Sequence, residues 1–184
     1  NIDFPSSEQR LELATRRLKF DELFFLQLLL ALRRYHFKHE QKGISYKVES
    51  MLARQLVGSL PFGLTRAQKR VIAEIAEDMK TPKPMNRLLQ GDVGSGKTIV
   101  ALLAMLVAID NGYQVAFMAP TEILADQHFR TIASFLKTIP VNVRLLIGGQ
   151  RKKLREDILE DIRSGSAKIV VGTHALIEEN VRFA

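Results

Sequence analysis

One glycine-rich segment limits the folds open to this chain more than any other. Residues 91–98 are Gly-Asp-Val-Gly-Ser-Gly-Lys-Thr, which matches the pattern G-x-x-x-x-G-K-[ST] at every position. A short predicted strand at 87–90, with Leu88 and Leu89 at its centre, precedes the segment, and a long apolar stretch with helical spacing follows it from Gly96 to Asp110. A loop of this type joins a buried strand to a helix, so we expect an α/β fold with a P-loop.

The residue types in this loop indicate its ligand. Glycine lets the backbone turn tightly and direct its N–H groups inward as an anion nest, and the positive end of the following helix adds to that field. Lys97 can place its charge on the β- and γ-phosphates, and the Thr98 hydroxyl can ligate Mg²⁺. We predict a site for ATP and Mg²⁺, with Lys97 and Thr98 as the catalytic residues. The predicted cofactor contacts in the loop are Gly91, Asp92, Val93, Gly94, Ser95, Gly96, Lys97 and Thr98.

The chain after residue 58 alternates between helical and strand patterns. Helices are predicted from Thr65, over 96–110, over 123–136 and around Leu154 to Ile162, and strands over 87–90, 114–119, 143–147 and 168–172. Such alternation implies a parallel sheet with helices on both faces.

The chain before residue 59 has helical patterns only. We expect a helix from near Ser6, a second over 21–34, and a third over 46–57 that ends at Gly58. The second is apolar almost all round, which predicts burial between other elements. We place the main boundary here, with an all-helical segment over 1–58 and an α/β domain over 59–184.

Length, composition and charge further limit the kinds of protein that this sequence can form. A length of 184 residues suits one domain plus an appendage. The absence of cysteine excludes disulfides and Cys-based zinc sites. The most apolar stretch, 23–32, is too short for a bilayer span of about 20 residues, so we expect a cytoplasmic protein without membrane contact. A net charge of +7 favours polyanionic partners such as nucleic acid, although it also fits plain solubility.

The segment before the P-loop, 60–68, resembles the adenine-sensing Q-motif region of superfamily 2 helicases. The Gln68 amide offers a donor and an acceptor to an adenine edge, and Phe62 can stack on the ring. Thr65 and Gln68 also have the spacing of a helix capping box, with Phe62 as a hydrophobic staple. The two roles are compatible, and both stay open.

The segment 119–128 resembles helicase motif Ia. It follows a predicted strand and opens a helix, where free backbone N–H groups can hold a DNA phosphate. We predict DNA contacts from Pro120, Thr121 and Glu122. The alternative for Thr121 is a plain helix N-cap.

A second DNA-facing loop is predicted after the third strand, in a segment that resembles motif Ib. Gly148, Gly149 and Gln150 precede a basic group that includes Lys152. Glycine permits close approach of a DNA strand and cations neutralise phosphates, so we predict DNA contacts from these four residues. The alternative is a solvated helix start with interleaved charges.

The segment 171–176 resembles the helicase motif that follows the next strand. Thr173 is the predicted phosphate contact in this segment, whereas His174 is interpreted as a buried hydrogen-bonding residue.

Together these segments resemble the RecG-type ATP-dependent DNA helicases of superfamily 2. The resemblance rests on Asp78-Met79, 84–90, the P-loop, 119–125 and 170–177, and 18–34 resembles the helical segment that joins the wedge domain of that family to its motor. The family implies a RecA-like motor domain in an ATP-driven translocase on double-stranded DNA. It also implies an activity that remodels branched DNA, chiefly stalled forks and Holliday junctions, in repair and recombination. The sequence does not give the oligomeric state, and we expect a monomer.

Three alternatives stay open at this point. The transcription-repair coupling factor shares much of the motor, although Ser95 and Glu122 favour the RecG type. Another P-loop ATPase would not be expected to carry the flanking motifs, and the intact Lys97-Thr98 pair argues against a DNA-binding module with a vestigial P-loop. The sequence ends at Ala184, before the acidic box that the family would supply after the next strand. We therefore expect this chain to bind nucleotide with little hydrolysis and no unwinding.

Overall fold

The structure is a computed structural model that describes residues 7–40 and 42–184, with side chains described outside 36–40. The chain forms two compact units. The first comprises Asn1–Gly43 with Pro82–Pro84, and the second comprises Ile44–Thr81 with Met85–Ala184.

The first unit contains one long helix, α1 (Glu8–Glu40). The prediction of two helices divided near residue 21 is wrong, and its predicted start at Ser6 lies outside the described residues. No glycine or proline interrupts Glu8–Glu40. Arg17 and Asp21 form an i,i+4 ion pair of 3.0 Å across the predicted division, which favours a continuous helix.

The apolar side chains of α1 are exposed, so the prediction that they are buried is wrong for this structure. Leu23 and Phe25 are each 64% exposed. Apolar residues lie on every side of the helix, and the described part of the first unit adds only short segments near residues 42–43 and 82–84 to it. Those segments are too small to surround a helix of this length.

The second unit begins with a strap, residues 44–50, that leads into α2 (Met51–Ser59). The predicted helix over 46–57 starts too early, because the Ser50 side chain caps the helix by accepting from the Ala53 N–H at 2.9 Å. Ser50 also donates to Asp110 Oδ2 at 2.5 Å. Gly58, which was predicted to end the helix, lies within it.

The strap is tied to the ends of two further helices, α3 (Arg66–Met79) and α4 (Lys97–Asp110). The Tyr46 N–H donates to the Met79 carbonyl at 2.9 Å, and the Lys47 N–H donates to Asn111 Oδ1 at 2.9 Å. Leu56 of α2 is fully buried in the same core as α4. The domain boundary at residue 58 stays a prediction.

The sheet has three parallel strands in the order β1-β3-β2, namely β1 (Val115–Met118), β2 (Val143–Leu146) and β3 (Ile169–Gly172). Ile169 aligns with Val115 on one side and with Val143 on the other. The connections contain α5 (Glu122–Phe135) and α6 (Lys152–Arg163), and a 3-10 helix, His174–Ile177, follows β3.

Helices cover both faces of the sheet, which confirms the predicted α/β class. Ile169 and Val171 lie in the core that contains α4 and α5. Val170 points to the other face and packs with Ile158 and Ile162 of α6. The central strand is therefore buried on both sides, as its unbroken apolar run predicts.

The predicted strand over 87–90 is absent from the described structure. None of the three described strands pairs with this segment, and Leu88 is 86% exposed. Apolar sequence alone does not make a strand, because the backbone also needs a neighbouring ladder. Within the described residues, no helix is long and apolar enough to cross a lipid bilayer.

Candidate nucleotide-binding site and adjoining loops

The P-loop turns sharply at two glycines. Gly94 and Gly96 both have φ of 81°, in the left-handed region that strains residues with a Cβ. The Ser95 N–H donates to the Asp92 carbonyl at 3.2 Å and closes the turn. A Cβ on Gly96 would also meet the Gln68 amide, so a larger residue would displace that side chain from its place beside the loop.

The Lys97 ammonium folds over this loop. Its Nζ donates to the carbonyls of Gly91 at 2.7 Å and Asp92 at 2.8 Å. Lys97 is the first residue of α4, so its charge and the helix N-terminus lie at the same place. A phosphate would replace two neutral acceptors with charged oxygens, which form the stronger bonds to ammonium.

Gln68 joins the start of α3 to the P-loop. Its Oε1 accepts from the Thr65 N–H at 2.9 Å, and the Thr65 hydroxyl accepts from the Gln68 N–H at 3.2 Å, so the capping box is present. Its Nε2 donates to the Ser95 carbonyl at 3.0 Å. Both ends of the amide have protein partners, and each end retains one further hydrogen-bonding position for a base.

These residues surround one open cavity of about 530 Å³, within the range of ligand sites. Phe62, which is 49% exposed, Gln68 and the N-terminal end of α4 all line this cavity. Thr131 and Phe135 of α5 also line the cavity, and the sequence did not predict them. They belong to no motif, and only the packing of α5 brings them here.

Thr98 lines the same cavity in the second position of α4. Its hydroxyl is a hard oxygen donor of the kind that Mg²⁺ prefers. Among the described residues, no cluster of three His, Cys, Asp or Glu side chains can hold a metal ion. The site therefore fits an ion that takes one protein hydroxyl and completes its shell with phosphate oxygens and water, as Mg²⁺ does with nucleotides.

Arg87 lies four residues before the loop and pairs with two carboxylates of α3. It reaches Asp78 Oδ2 and Glu74 Oε2, each at 2.8 Å. The hydrogen bond to Asp78 is the main cause that raises the pKa of Arg87 above its ordinary value. The guanidinium therefore stays charged at any working pH.

The two predicted DNA-facing loops lie side by side. A Cβ built on Gly148 would come within 2.7 Å of Glu122 Oε1, so motifs Ia and Ib are adjacent. Thr121 is exposed and caps α5 by accepting from the Leu124 N–H at 3.3 Å. Pro120 and Glu122 are also exposed. The structure thus gathers these residues on one surface.

Gln150 has a structural role within the second loop. Its Nε2 donates to the Leu145 carbonyl at 3.0 Å and its Oε1 accepts from the Ile147 N–H at 3.2 Å. The neighbouring Gly149 has φ of 67°, and Lys152 extends into solvent with 91% of its side chain exposed. Of these two predicted DNA contacts, Lys152 has its side chain in solvent, whereas the hydrogen bonds of Gln150 maintain the shape of the loop.

The segment after β3 differs from its prediction. Thr173, the predicted phosphate contact, is only 3% exposed. His174, which was interpreted as buried, is exposed. Thr173 directly follows β3, whose four residues are all buried, and the 3-10 helix that begins at His174 turns the chain so that His174 lies at the surface.

The fold and the loop geometry define a class of protein. The chain belongs to the DEAD/DEAH box helicase family, whose model matches residues 65–183.

Individual relatives agree with the more specific resemblance. The chain is 51% identical over 184 residues to the ATP-dependent DNA helicase RecG of Thermotoga maritima, covering 99% of this chain and 23% of that protein. It is 46% identical over 182 residues to the RecG of a Synechocystis strain, covering 99% and 22%. The chain thus spans about a quarter of the length of the curated relatives it matches. The resemblance to RecG-type helicases is confirmed, and the alternative classes are not favoured.

Solved structures give the same result for the fold. A structure of RecG bound to a three-way DNA junction matches with a TM-score of 0.84 and 48% identity, covering 98% of this chain and 25% of that one. A hypothetical ATP-dependent RNA helicase from Sulfolobus tokodaii matches with a TM-score of 0.53 at 21% identity over 71% of this chain and 37% of that chain, which supports the α/β fold alone.

Proposed function

We propose that this chain is the nucleotide-binding part of an ATP-dependent DNA helicase that translocates on double-stranded DNA. The intact protein would remodel branched DNA, such as stalled forks and Holliday junctions, in repair and recombination, as a cytoplasmic monomer. The observation that carries the proposal is the single cavity shared by Phe62, Gln68, Lys97 and Thr98. The relative solved with a three-way DNA junction supports the choice of DNA partner.

The residues that line the cavity suit both parts of ATP. Phe62 offers an exposed aromatic face for the adenine ring, and Gln68 offers polar atoms to its edge. The backbone N–H groups of the P-loop and the Lys97 ammonium suit the phosphates, with Thr98 as the protein ligand of Mg²⁺. Thr98 would hold Mg²⁺ there, and the ion would supply positive charge to the phosphates.

The cavity supports binding better than hydrolysis. Among the described residues that line it, none is an Asp or Glu. A carboxylate is the usual group for positioning an attacking water, so this chain on its own should hold ATP without turning it over. Hydrolysis by the isolated chain that is lost in Lys97→Ala would contradict this statement.

The DNA side of the proposal uses the surface formed by motifs Ia and Ib. Thr121 lies at the exposed N-terminus of α5, where helix N–H groups can bind a phosphate. Pro120 and Glu122 belong to that loop. Gly148 and Gly149 have no side chains, so they would let a DNA strand approach the neighbouring loop closely. Lys152 supplies an exposed cation for the DNA backbone. Gln150 supports the loop, and Thr173 would contact phosphate only after a local rearrangement, because it is buried.

Titration with a fluorescent ATP analogue and with ADP in Mg²⁺ tests the nucleotide site. Lys97→Ala should abolish measurable binding while the circular dichroism melt stays close to that of the unsubstituted protein. Lys80→Ala is the matched control, because it removes an equal charge from an exposed pair with Glu77 outside the cavity. Equal affinity in the Lys97→Ala and Lys80→Ala proteins would reject the proposed site.

A further inference from the structure

Two side chains of α5 border the nucleotide cavity although neither belongs to a motif. Thr131 and Phe135 line the same cavity as Gln68 and the P-loop. They lie four residues apart on α5, so they share one face of that helix. Phe135 also packs against the hydrophobic core, which fixes this part of α5 beside the site. The helix therefore contributes one hydroxyl and one aromatic ring to the lining of the cavity.

The hydroxyl of Thr131 has a defined orientation. Its oxygen lies 2.8 Å from the carbonyl oxygen of Gln127, one turn earlier in α5. A carbonyl can only accept, so the hydroxyl hydrogen is used in this bond. No donor in the described part of the chain bonds to Thr131 Oγ1, so its remaining lone-pair positions are available. Thr131 therefore offers the cavity an acceptor rather than a donor.

The amide of Gln68 leaves one hydrogen of an adenine base without a partner. Its two ends already bond to the Thr65 N–H and the Ser95 carbonyl, so each end has one position left for a ligand. A glutamine amide pairs with adenine through N7 and one hydrogen of the N6 amine. The amine has a second hydrogen, which needs another acceptor.

Thr131 is the available hydroxyl for that hydrogen. Among the described residues that line the cavity, three are threonines. The Thr65 hydroxyl caps α3 by accepting from the Gln68 N–H at 3.2 Å. Thr98 lies at the start of α4, where it is assigned to Mg²⁺. Thr131 has neither role.

We propose that Thr131 is a specificity-determining residue for the base, and that it accepts a hydrogen bond from an exocyclic amine such as N6 of adenine. This inference rests on the proposed ATP site. A purine with a carbonyl at position 6, such as hypoxanthine or guanine, places an acceptor against the acceptor of Thr131. To donate to that carbonyl, the hydroxyl must lose its bond to Gln127. The site therefore favours adenine nucleotides over 6-keto purine nucleotides.

The experiment uses the full-length protein in Mg²⁺ and displaces a ribose-labelled fluorescent ADP analogue with either ADP or IDP. These nucleotides differ only in the base, where IDP has a carbonyl in place of the amine. The unsubstituted protein should bind ADP more tightly than IDP. Thr131→Val replaces the hydroxyl with a methyl group of similar size and should raise the Kd for ADP about fivefold. The Kd for IDP should stay within about twofold, because IDP has no amine hydrogen to lose its partner.

Thr15→Val is the matched control for the loss of a helical threonine hydroxyl. Thr15 also donates to the carbonyl four residues earlier, at 2.9 Å to Leu11, and it lies in α1 and does not line the nucleotide cavity. This variant should leave both Kd values unchanged. Thr131→Ser keeps the hydroxyl and should keep the ratio of the two Kd values. If Thr131→Val does not fold, Thr131→Ala removes the same hydroxyl and repeats the comparison.

An unchanged ratio of the IDP and ADP Kd values in folded Thr131→Val would overturn the proposal, and so would an unsubstituted protein that binds both nucleotides equally. Equal weakening of ADP and IDP would also overturn it, because that result assigns Thr131 to the packing of α5 rather than to the base. Failure of the proposed function gives a different pattern. In that case the unsubstituted protein binds neither nucleotide, or Lys97→Ala binds as well as the unsubstituted protein. Binding that depends on Lys97 but not on Thr131 rejects only the role of Thr131.

Discussion

Gln68 and Ser95 are joined by a hydrogen bond of 3.0 Å, in which the side-chain amide of the first donates to the backbone carbonyl of the second. The same amide accepts from the Thr65 N–H at 2.9 Å. The helix cap and the P-loop are therefore one hydrogen-bonded unit. The two functions of Gln68 can be separated by substitution, because one uses its acceptor oxygen and the other uses its donor nitrogen.

Gln68→Glu should lower ATP affinity with little loss of stability. The carboxylate still accepts from Thr65, but it cannot donate to Ser95 and it adds negative charge near the phosphates. We expect a Kd for ATP about tenfold higher. Thr65→Ala is the complementary control, since it costs about 1 kcal/mol of stability by loss of the cap and leaves the donor to Ser95 in place. Gln68→Glu should therefore show the larger loss of affinity in nucleotide titrations, and Thr65→Ala should show the larger loss of stability in melting curves.

Gly172→Ala should be severely destabilising. A Cβ at this position would overlap the Leu146 carbonyl of the neighbouring strand and come within 2.9 Å of the Leu176 side chain. Because the first obstacle is backbone in a paired strand, relief requires movement of the sheet, and we expect a loss of about 3 kcal/mol or more.

Gly58→Ala is the control for that measurement. Gly58 lies inside α2, and a Cβ there would meet nothing within 4 Å. Alanine should stabilise the helix by about 0.5–1 kcal/mol. Chemical denaturation of both variants would show opposite changes in midpoint, and a Gly172→Ala protein as stable as the unsubstituted one would contradict the close approach of β2 and β3.

Asp110→Ala should loosen the strap that leads into α2. Asp110 Oδ2 accepts from the Ser50 hydroxyl at 2.5 Å and from the Leu52 N–H at 3.0 Å, and Ser50 is 3% exposed. Removal leaves the buried Ser50 hydroxyl and the Leu52 N–H without their acceptor and should cost about 1–3 kcal/mol of unfolding free energy.

Asp126→Ala provides the comparison for Asp110. Asp126 forms a surface ion pair with Arg130, at 2.8 Å within α5, so its loss should cost about 0.5 kcal/mol or less. Hydrogen exchange at the amides of residues 50–53 should rise in the Asp110 variant and stay unchanged in the Asp126 variant. Equal exchange in both proteins would exclude Asp110 as the anchor.

Lys152→Ala should weaken DNA binding of the intact protein and reduce its salt dependence. Lys152 is 91% exposed beside the loop of motif Ib, and its nearest described ion-pair partner, Glu156, lies at 3.9 Å. Loss of one phosphate contact should reduce the slope of log affinity against log salt by about 1. Lys137→Ala removes the same charge just after the C-terminus of α5, whereas the motif Ia loop lies at the N-terminus of that helix. This variant should leave the slope unchanged. Identical slopes for the two variants would remove Lys152 from the DNA interface.

Much of the α/β unit could be predicted from sequence because local patterns were strong there. The helix that follows the P-loop and the three strands of the sheet lie within one or two residues of their predicted bounds. The capping box at Thr65 and Gln68 was also predicted, since a cap depends on residues three apart. The P-loop could be recognised from the sequence by the spacing of its glycines, its lysine and its threonine alone.

Other features depended on contacts between distant residues. The strand predicted over 87–90 has the right composition, but the described strands offer it no ladder. Thr173 and His174 exchanged their expected exposures because a 3-10 turn begins there. Periodicity describes one segment at a time and contains no information about which partner lies beside it.

The sequence by itself determined the phosphate-binding loop, the α/β class and the family, because each depends on the spacing of glycine, charged and apolar residues that lie close together in the chain. Only the tertiary structure decided that Thr131 and Phe135 share a cavity with Lys97, and that Arg87 is paired with Glu74 and Asp78 of α3. Those relationships join residues far apart in the chain, and they are set by how helices pack on the sheet and on each other rather than by any local preference.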